Sequence, residues 1–317
     1  MTDSFVRLRP PIPTSVSPEA QRFLAEEIRS EAATPDVDDV EGWLRRIEET
    51  NRYIVERFAS VDLPVAVDDT EIAGVHTFVL RGRGLAPEAT AIYLDIHGGG
   101  LISGGGDACR LMGSAGAMST GMTHWAVDYR MPPLHPYPAA VDDCIAVYRK
   151  LLDERAPGDI FVGGGSAGGN LAAALMARAK DEGLPMPAAL ALLTPEVDLT
   201  ESGDSFHTNL GIDNVLGSLM PANLLYANGQ DLSRPYISPL FADVTGFPPT
   251  FLQAGTRDLY LSNTVRMHRK LRDAGVDAEL HVFEAMPHGG FAGAPEDLEV
   301  RRELRRFLDR HRRDLRT

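Results

Sequence analysis

A serine lies at a glycine-rich turn in the stretch IFVGGGSAGGN, residues 160–170. Ser166 has glycines at positions 164 and 168, which gives the pattern GxSxG at the junction of a predicted strand and a predicted helix. Glycines are needed because the two backbones approach closely there, and the turn pushes the serine hydroxyl out of the sheet. The helix directs its N terminus at the same spot, so the amide of Ala167 is free to bind a developing oxyanion. Ser166 is therefore a candidate nucleophile.

The same glycines also allow a different interpretation, because residues 163–168 contain GxGxxG, the fingerprint of a dinucleotide-binding turn. That turn requires an acidic residue about 20 positions further on, at the end of the next strand. Asp181 and Glu182 have the spacing but lie at the end of the helix, whereas Glu196 and Asp198 come too late. A nicotinamide-dependent oxidoreductase is therefore the weakest of the alternatives.

A second glycine-rich loop favours acyl transfer. In YLDIHGGG, residues 93–100, an apolar strand runs into His97 and three glycines. Such a loop folds back so that the amides of Gly98 and Gly99 face an anionic oxygen, which bulky side chains would obstruct. We interpret His97 as a structural residue of this loop, because the chemistry needs only the amides. No GKS or GKT follows, as a phosphate-binding loop would require.

The remaining members of a triad come late in the chain. Asp258 follows the seventh predicted strand and His288 the eighth, and the carboxyl ends of parallel strands meet at one crevice. The order Ser166, Asp258, His288 is the order that an α/β-hydrolase requires. Three other acids also follow a strand end and are alternatives to Asp258, namely Glu196, Asp198 and Asp204.

These residues need a sheet to position them. Short apolar runs predict eight strands, at residues 63–66, 75–80, 91–96, 123–128, 159–163, 188–194, 249–254 and 278–283. Helix-length stretches separate most of the later runs, at Asp107–Met118, Pro138–Glu154, Asn170–Lys180, Asn263–Asp273 and Pro295–His311. This alternation predicts an α/β fold with a mostly parallel sheet covered on both faces, and the first two runs form an antiparallel edge.

Two segments do not fit the alternation. Residues 17–58 have a helical pattern but precede the sheet, and residues 199–245 contain Gly, Asn, Pro and short apolar clusters. Long excursions from a compact fold are usually functional, so both segments are candidates for a lid. We expect cap helices in 1–58, a catalytic domain in 59–198 and 246–317, and a cap insertion in 199–245.

Composition excludes several classes of function. The chain has 317 residues and a formal net charge of -14, which disfavours nucleic acid and acidic lipid surfaces as partners. It has neither a signal-peptide pattern nor an apolar run of about 20 residues, so we expect a soluble, cytoplasmic protein without membrane partners. The two cysteines, Cys109 and Cys144, lie in predicted helices and are interpreted as buried thiols, with no metal-binding spacing.

Taken together, the motifs resemble those of the hormone-sensitive-lipase-like esterases, bacterial esterase family IV of the α/β-hydrolase fold. The resemblance runs from about residue 75 to 310 and rests on HGGG at 97–100, DYRMPPLHPYPAAVDD at 128–143, GGSAGGN at 164–170 and the segments around Asp258 and His288. Three positions depart from the family pattern: Gly165 replaces an Asp, DLYLSN replaces DPLxDE, and Leu101 replaces an aromatic residue.

The resemblance implies a carboxylesterase with an eight-stranded sheet, a helical cap, neither cofactor nor metal, and often a homodimer. We therefore expect esters of short to medium acyl chains to be hydrolysed through Ser166, His288 and Asp258. Gly98, Gly99 and Ala167 would form the oxyanion hole. Candidate apolar residues for the substrate site are Leu101, Phe206, Leu210, Leu216, Leu219 and Met220. The alternative is a non-catalytic small-molecule receptor on the same fold, against which the presence of His288 argues.

Overall fold

The computed structural model describes residues 9–26, 34–59, 61–83, 85, 90–313 and 315. Within these residues one sheet contains eight strands: β1 (Val65–Ile72), β2 (Val75–Gly82), β3 (Ile92–Ile96), β4 (Thr123–Val127), β5 (Ile160–Gly165), β6 (Ala189–Leu193), β7 (Thr250–Gly255) and β8 (Ala278–Phe283). Their order across the sheet is β1-β2-β4-β3-β5-β6-β7-β8. The pairs β1–β2 and β2–β4 are antiparallel, and every other pair is parallel. The predicted eight strands and antiparallel edge are confirmed.

The first strand lies elsewhere than expected. Its prediction at residues 63–66 was too early and too short, because β1 runs from Val65 to Ile72 and has the sequence VAVDDTEI. As the outermost strand it pairs only with β2, and six of its central positions are exposed. A polar edge strand lacks the apolar pattern from which strands are recognised, and its charges discourage pairing with another chain.

Nine α-helices surround the sheet in the described residues: α1 (Pro18–Ala25), α2 (Val40–Arg57), α3 (Asp107–Thr120), α4 (Ala139–Glu154), α5 (Ala167–Asp181), α6 (Ser205–Thr208), α7 (Met220–Ala227), α8 (Leu261–Asp273) and α9 (Pro295–His311). Alternate residues of the central strands enter different core clusters. Leu94 and Val162 pack with residues of α4, α5 and α8, whereas Tyr93 and Phe161 pack with residues of α9. The sheet is thus covered on both faces, as a mostly parallel sheet requires.

The segment before the sheet contributes two of these helices. α1 packs against the loop that follows β8, through Ala20 and Leu24 beside Met286 and Phe291. α2 places Trp43, which is 1% exposed, in a cluster with residues of the β3–α3 loop and of α7. Residues 1–8 and 27–33 of the predicted N-terminal cap lie outside the described residues.

The two thiols lie in helices, as expected. Cys109 is in α3 and Cys144 in α4, and both are free and buried. In the part of the chain that the structure describes, no helix combines the length and the apolar character needed to cross a membrane.

Candidate active site

Ser166 occupies a strained turn between β5 and α5. Its backbone has φ 56° and ψ −123°, which is unusual for a residue with a side chain. Gly164 and Gly168 make this turn feasible because neither has a Cβ atom. A Cβ atom on Gly164 would lie 2.3 Å from the Ile96 carbonyl oxygen, and one on Gly168 would lie 1.9 Å from the same oxygen. Here the glycines allow β3 to pack closely, whereas the dinucleotide interpretation needs them for the approach of a pyrophosphate.

The helix after Ser166 begins earlier than expected. The sequence predicted its start at Asn170, whereas α5 begins at Ala167, immediately after the serine. Two glycines in the first turn lower the local helix propensity, but packing against β3 and β6 determines the conformation. The amide of Ala167 consequently lies at the first position of the helix, beside the serine side chain.

Three side chains from the ends of three strands come into contact at this turn. His288 Nε2 lies 2.9 Å from Ser166 Oγ, and His288 Nδ1 lies 3.1 Å from Asp258 Oδ1. Asp258 is 0% exposed and His288 is 8% exposed, so water has little access to either. A histidine held in this way can accept the serine proton at Nε2. Its Nδ1 keeps a proton, because the Nδ1–H group donates a hydrogen bond to the carboxylate.

The surroundings of His288 favour its protonated form. Burial lowers the pKa of the imidazole, but the carboxylates of Asp258, Asp213 and Glu196 outweigh burial, and the pKa is raised above the ordinary 6.5. The ring of Tyr260 lies edge-on to the imidazole, with ring centroids 4.9 Å apart. These surroundings would stabilise an imidazolium at this position, as a histidine acting as a general base requires.

The glycine loop after β3 lies against the serine turn. A Cβ atom at Gly98 would be 2.9 Å from the Gly165 carbonyl oxygen and 3.4 Å from Ser166 Cβ. The chain folds back at Gly99, whose carbonyl accepts hydrogen bonds from Ser103 N at 3.0 Å and Ser103 Oγ at 2.8 Å. Among the described residues, no hydrogen bond occupies the amides of Gly98, Gly99 and Ala167. These N–H groups are free to bind an oxyanion.

His97 supports this loop. Its Nδ1 donates to the Gly98 carbonyl at 2.8 Å, and its ring stacks on Tyr129 with centroids 4.1 Å apart. The Tyr129 hydroxyl in turn donates to the His97 carbonyl at 2.9 Å. The side chain thus orients the glycine loop, in agreement with its interpretation as structural.

The alternative acids make other contacts. Asp198 binds Arg266 at 2.6 Å, and Asp204 is exposed before α6. Glu196 is 1% exposed, but His288 Nδ1 bonds to Asp258 and not to Glu196. Geometry therefore favours Asp258 as the partner of the histidine.

Sequence reasoning missed Asp213. Its carboxylate accepts hydrogen bonds from the backbone amides of Leu259 at 2.9 Å and His288 at 3.2 Å. It lies in the irregular stretch between α6 and α7, within LGIDNVLG, which matches no motif. No periodicity or spacing in the sequence pointed to it.

The predicted substrate residues lie in different surroundings. Phe206, Leu216 and Leu219 pack around Leu259 and Tyr260, beside the triad. Leu219 also approaches the glycine loop. If Gly100 carried a Cβ atom, that atom would lie 3.2 Å from Leu219 Cδ1. The other three predicted residues differ in exposure. Leu101 is fully buried in the core, Met220 is half-buried at the start of α7, and Leu210 is 41% exposed.

One group of side chains has the donor types of a metal site. Potential ligand atoms of His97, Cys109 and Asp128 lie within 4.8 Å of one another. The Asp128 carboxylate already accepts hydrogen bonds from Gly106 N at 3.0 Å and interacts with His76 at 2.8 Å. Burial raises the pKa of the Cys109 thiol far above its ordinary value, which keeps the thiol protonated. An ion would have to disrupt these interactions before it could bind.

Comparisons with known proteins agree with this architecture. A family model described as α/β hydrolase fold matches residues 93–292. An esterase of Acinetobacter venetianus is 34% identical over 228 residues, which cover 70% of this chain and 74% of that protein. An acetyl-hydrolase of Streptomyces hygroscopicus is 33% identical over 202 residues, covering 63% of this chain and 67% of its own.

Solved structures extend the likeness over nearly the whole chain. The crystal structure of an esterase superposes with a TM-score of 0.88 at 36% identity and covers 97% of this chain and 98% of that one. A hormone-sensitive lipase from a metagenome library gives a TM-score of 0.81 at 31% identity, with coverage of 92% and 96% respectively.

Proposed function

The chain belongs to the α/β-hydrolase-fold family as a hormone-sensitive-lipase-like carboxylesterase, and on that premise we propose that Ser166, His288 and Asp258 are its catalytic triad. The observation that carries the proposal is the continuous chain of contacts from Ser166 Oγ to His288 at 2.9 Å and from His288 to Asp258 at 3.1 Å. These two contacts give no support to a non-catalytic receptor, because a receptor does not need a histidine within hydrogen-bonding distance of the serine hydroxyl.

The reaction proceeds by acyl transfer in two steps. His288 Nε2 takes the proton from Ser166 as Oγ attacks the ester carbonyl carbon, and the carbonyl oxygen becomes an oxyanion. The amides of Gly98, Gly99 and Ala167 stabilise that oxyanion. The tetrahedral intermediate collapses with cleavage of the bond to the alcohol, which leaves with the proton from His288. Water then attacks the acyl-enzyme by the same route and releases the carboxylic acid.

We propose that α1, α2 and the insertion 199–245 form the cap over this site. α1 packs on the loop that contains His288, and Asn214 Nδ2 of the insertion donates to the Phe23 carbonyl at 2.9 Å. Phe206, Leu216 and Leu219 would contact the acyl chain, since they pack beside the triad residues. Short to medium acyl esters are the proposed substrates, and a relative named acetyl-hydrolase supports the short end of that range.

The location and the assembly of the protein are proposed on separate grounds. We propose the cytoplasm, because Cys109 and Cys144 are free thiols in the described structure and thiols persist in reducing compartments. A homodimer stays a prediction from the resemblance, and light scattering would test it.

A series of nitrophenyl esters from acetate to decanoate tests the proposal. We expect hydrolysis of the shorter esters, with turnover reduced by about three orders of magnitude or more in both His288→Ala and Ser166→Ala. Binding should change little in either variant. Wild-type turnover in either variant would refute the triad, and hydrolysis restricted to the longest esters would refute the substrate range.

A further inference from the structure

The carboxylate of Asp213 is buried, and all of its hydrogen bonds within the described residues come from backbone amides. Asp213 is 1% exposed, and its Oδ1 accepts from Val215 N at 2.9 Å and Leu216 N at 3.2 Å. Its Oδ2 accepts from Leu259 N at 2.9 Å and His288 N at 3.2 Å. One oxygen atom therefore holds both Leu259, the residue after Asp258, and His288, which lies 29 residues further along the chain.

A second side chain of the same turn holds the acid loop. Asn209 Nδ2 donates to the Asp258 carbonyl at 2.8 Å and to the Thr256 carbonyl at 3.2 Å. Asp213 N donates to the Asn209 carbonyl at 2.9 Å, so the two side chains belong to one hydrogen-bonded turn. This Asn209–Asp213 turn lies in the insertion and is separated from the triad loops in sequence.

We propose that the Asn209–Asp213 turn positions the catalytic triad, with Asp213 fixing the backbone of His288 relative to Asp258. This inference rests on the proposed function of the triad. The two loops follow the paired strands β7 and β8 and are joined near their starts, where Arg257 N donates to the Met286 carbonyl at 3.2 Å. Asp213 adds a link beyond that point, at His288 itself. A catalytic group displaced by about 1 Å can lose about a hundredfold in rate, so a shared anchor for acid and base has a direct catalytic consequence.

Asp213 also acts on His288 through its charge. The acidic groups that face the imidazole come from three elements: Asp258 after β7, Asp213 in the insertion and Glu196 after β6. The Tyr260 ring packs edge-on, and Ser166 lies opposite Asp258. Burial lowers the pKa of His288, and all three carboxylates raise it. Removing the charge of Asp213 should therefore lower the pKa at which the histidine becomes a base.

The test is Asp213→Asn, compared with Asp198→Asn as the matched control. Asp198 is also buried and accepts hydrogen bonds from Thr200 and Ser202, but it contacts neither triad loop. We expect Asp213→Asn to lower kcat by at least about tenfold with KM within about twofold, and to move the acidic limb of the pH profile to lower pH. Asp198→Asn should lose stability while keeping the wild-type pH midpoint and kcat.

A second variant covers the case in which Asp213→Asn does not fold. Asn209→Ala removes the two bonds to the acid loop without changing any charge, so we expect a lower kcat at an unchanged pH midpoint. The inference would be overturned if Asn209→Ala had the kcat of the wild type. It would also be overturned if folded Asp213→Asn had both the kcat and the pH-profile midpoint of the wild type. Labelling of wild-type Ser166 by a phosphonate separates the two proposals: absence of label would refute the triad itself, whereas normal label with unaffected variants would refute only the positioning role.

Discussion

Glu196→Gln should change how the stability of the protein depends on pH. Glu196 is 1% exposed, and neither of its carboxylate oxygens has a hydrogen-bond partner of good geometry among the described residues. Burial raises the pKa of this carboxyl from 4.5 to about 7, although the nearby Tyr260 and Asn223 offset part of the rise. The folded protein therefore resists ionisation of a group that ionises freely when the chain unfolds.

The magnitude follows from this pKa. A raised folded-state pKa gives stability that is complete below pH 4.5 and is lost as the pH rises through about 7. At about 1.4 kcal/mol per pKa unit the whole effect is about 3 kcal/mol, of which about 2 kcal/mol falls between about pH 5 and pH 8. Gln has the same shape but cannot ionise, so Glu196→Gln should escape this loss.

Urea unfolding at pH 5 and pH 8, followed by tryptophan fluorescence, measures the difference. The wild type should lose about 2 kcal/mol more than Glu196→Gln over this interval, and the contributions of groups that do not interact with Glu196 cancel in the comparison. Glu71→Gln, at an exposed position of β1, is the control and should behave as the wild type. Equal losses in the wild type and Glu196→Gln would contradict this prediction, because Glu196 would then ionise as easily in the folded state as in the unfolded one.

Other predictions concern the site and the cap. Because His288 must be neutral to accept a proton and its pKa is raised, kcat/KM should rise with pH through a midpoint above 6.5, and a lower midpoint in the pH profile would contradict this. Asp258→Asn should lower kcat by about 10³ to 10⁴ with little change in KM, whereas the same change at the exposed Asp204 should leave steady-state kinetics unaltered. Trp43→Ala should cost about 3 to 5 kcal/mol in urea unfolding and alter the ratio of decanoate to butyrate hydrolysis, because the indole joins α2 to α7; an unchanged ratio would count against a cap role.

The sequence allowed the sheet and the site loops to be predicted because each has a local cause. The central strands are continuous apolar runs, and Ser166 and the HGGG loop need glycines where backbones approach closely. Asp258 and His288 could be placed by their positions after β7 and β8. These features depend on residues close together in the chain.

Features without an apolar pattern or a motif of their own were missed. The polar strand β1 is held by its pairing with β2, which leaves no apolar pattern along its own length. Asp213 is important only because folding brings Leu259 and His288 to it, and the sequence around it indicates an irregular loop. The burial of Glu196 likewise depends on surrounding elements, although its position after β6 was recognised.

Covalent labelling shows whether Ser166 is the nucleophile. A phosphonate ester reacts readily only with an activated serine, so we expect a single adduct, located on the peptide that contains Ser166, together with complete loss of ester hydrolysis. Peptide mass mapping of the labelled protein would show its position. An adduct on another serine, or ester hydrolysis that survives complete labelling of Ser166, would contradict the assignment of Ser166 as the nucleophile.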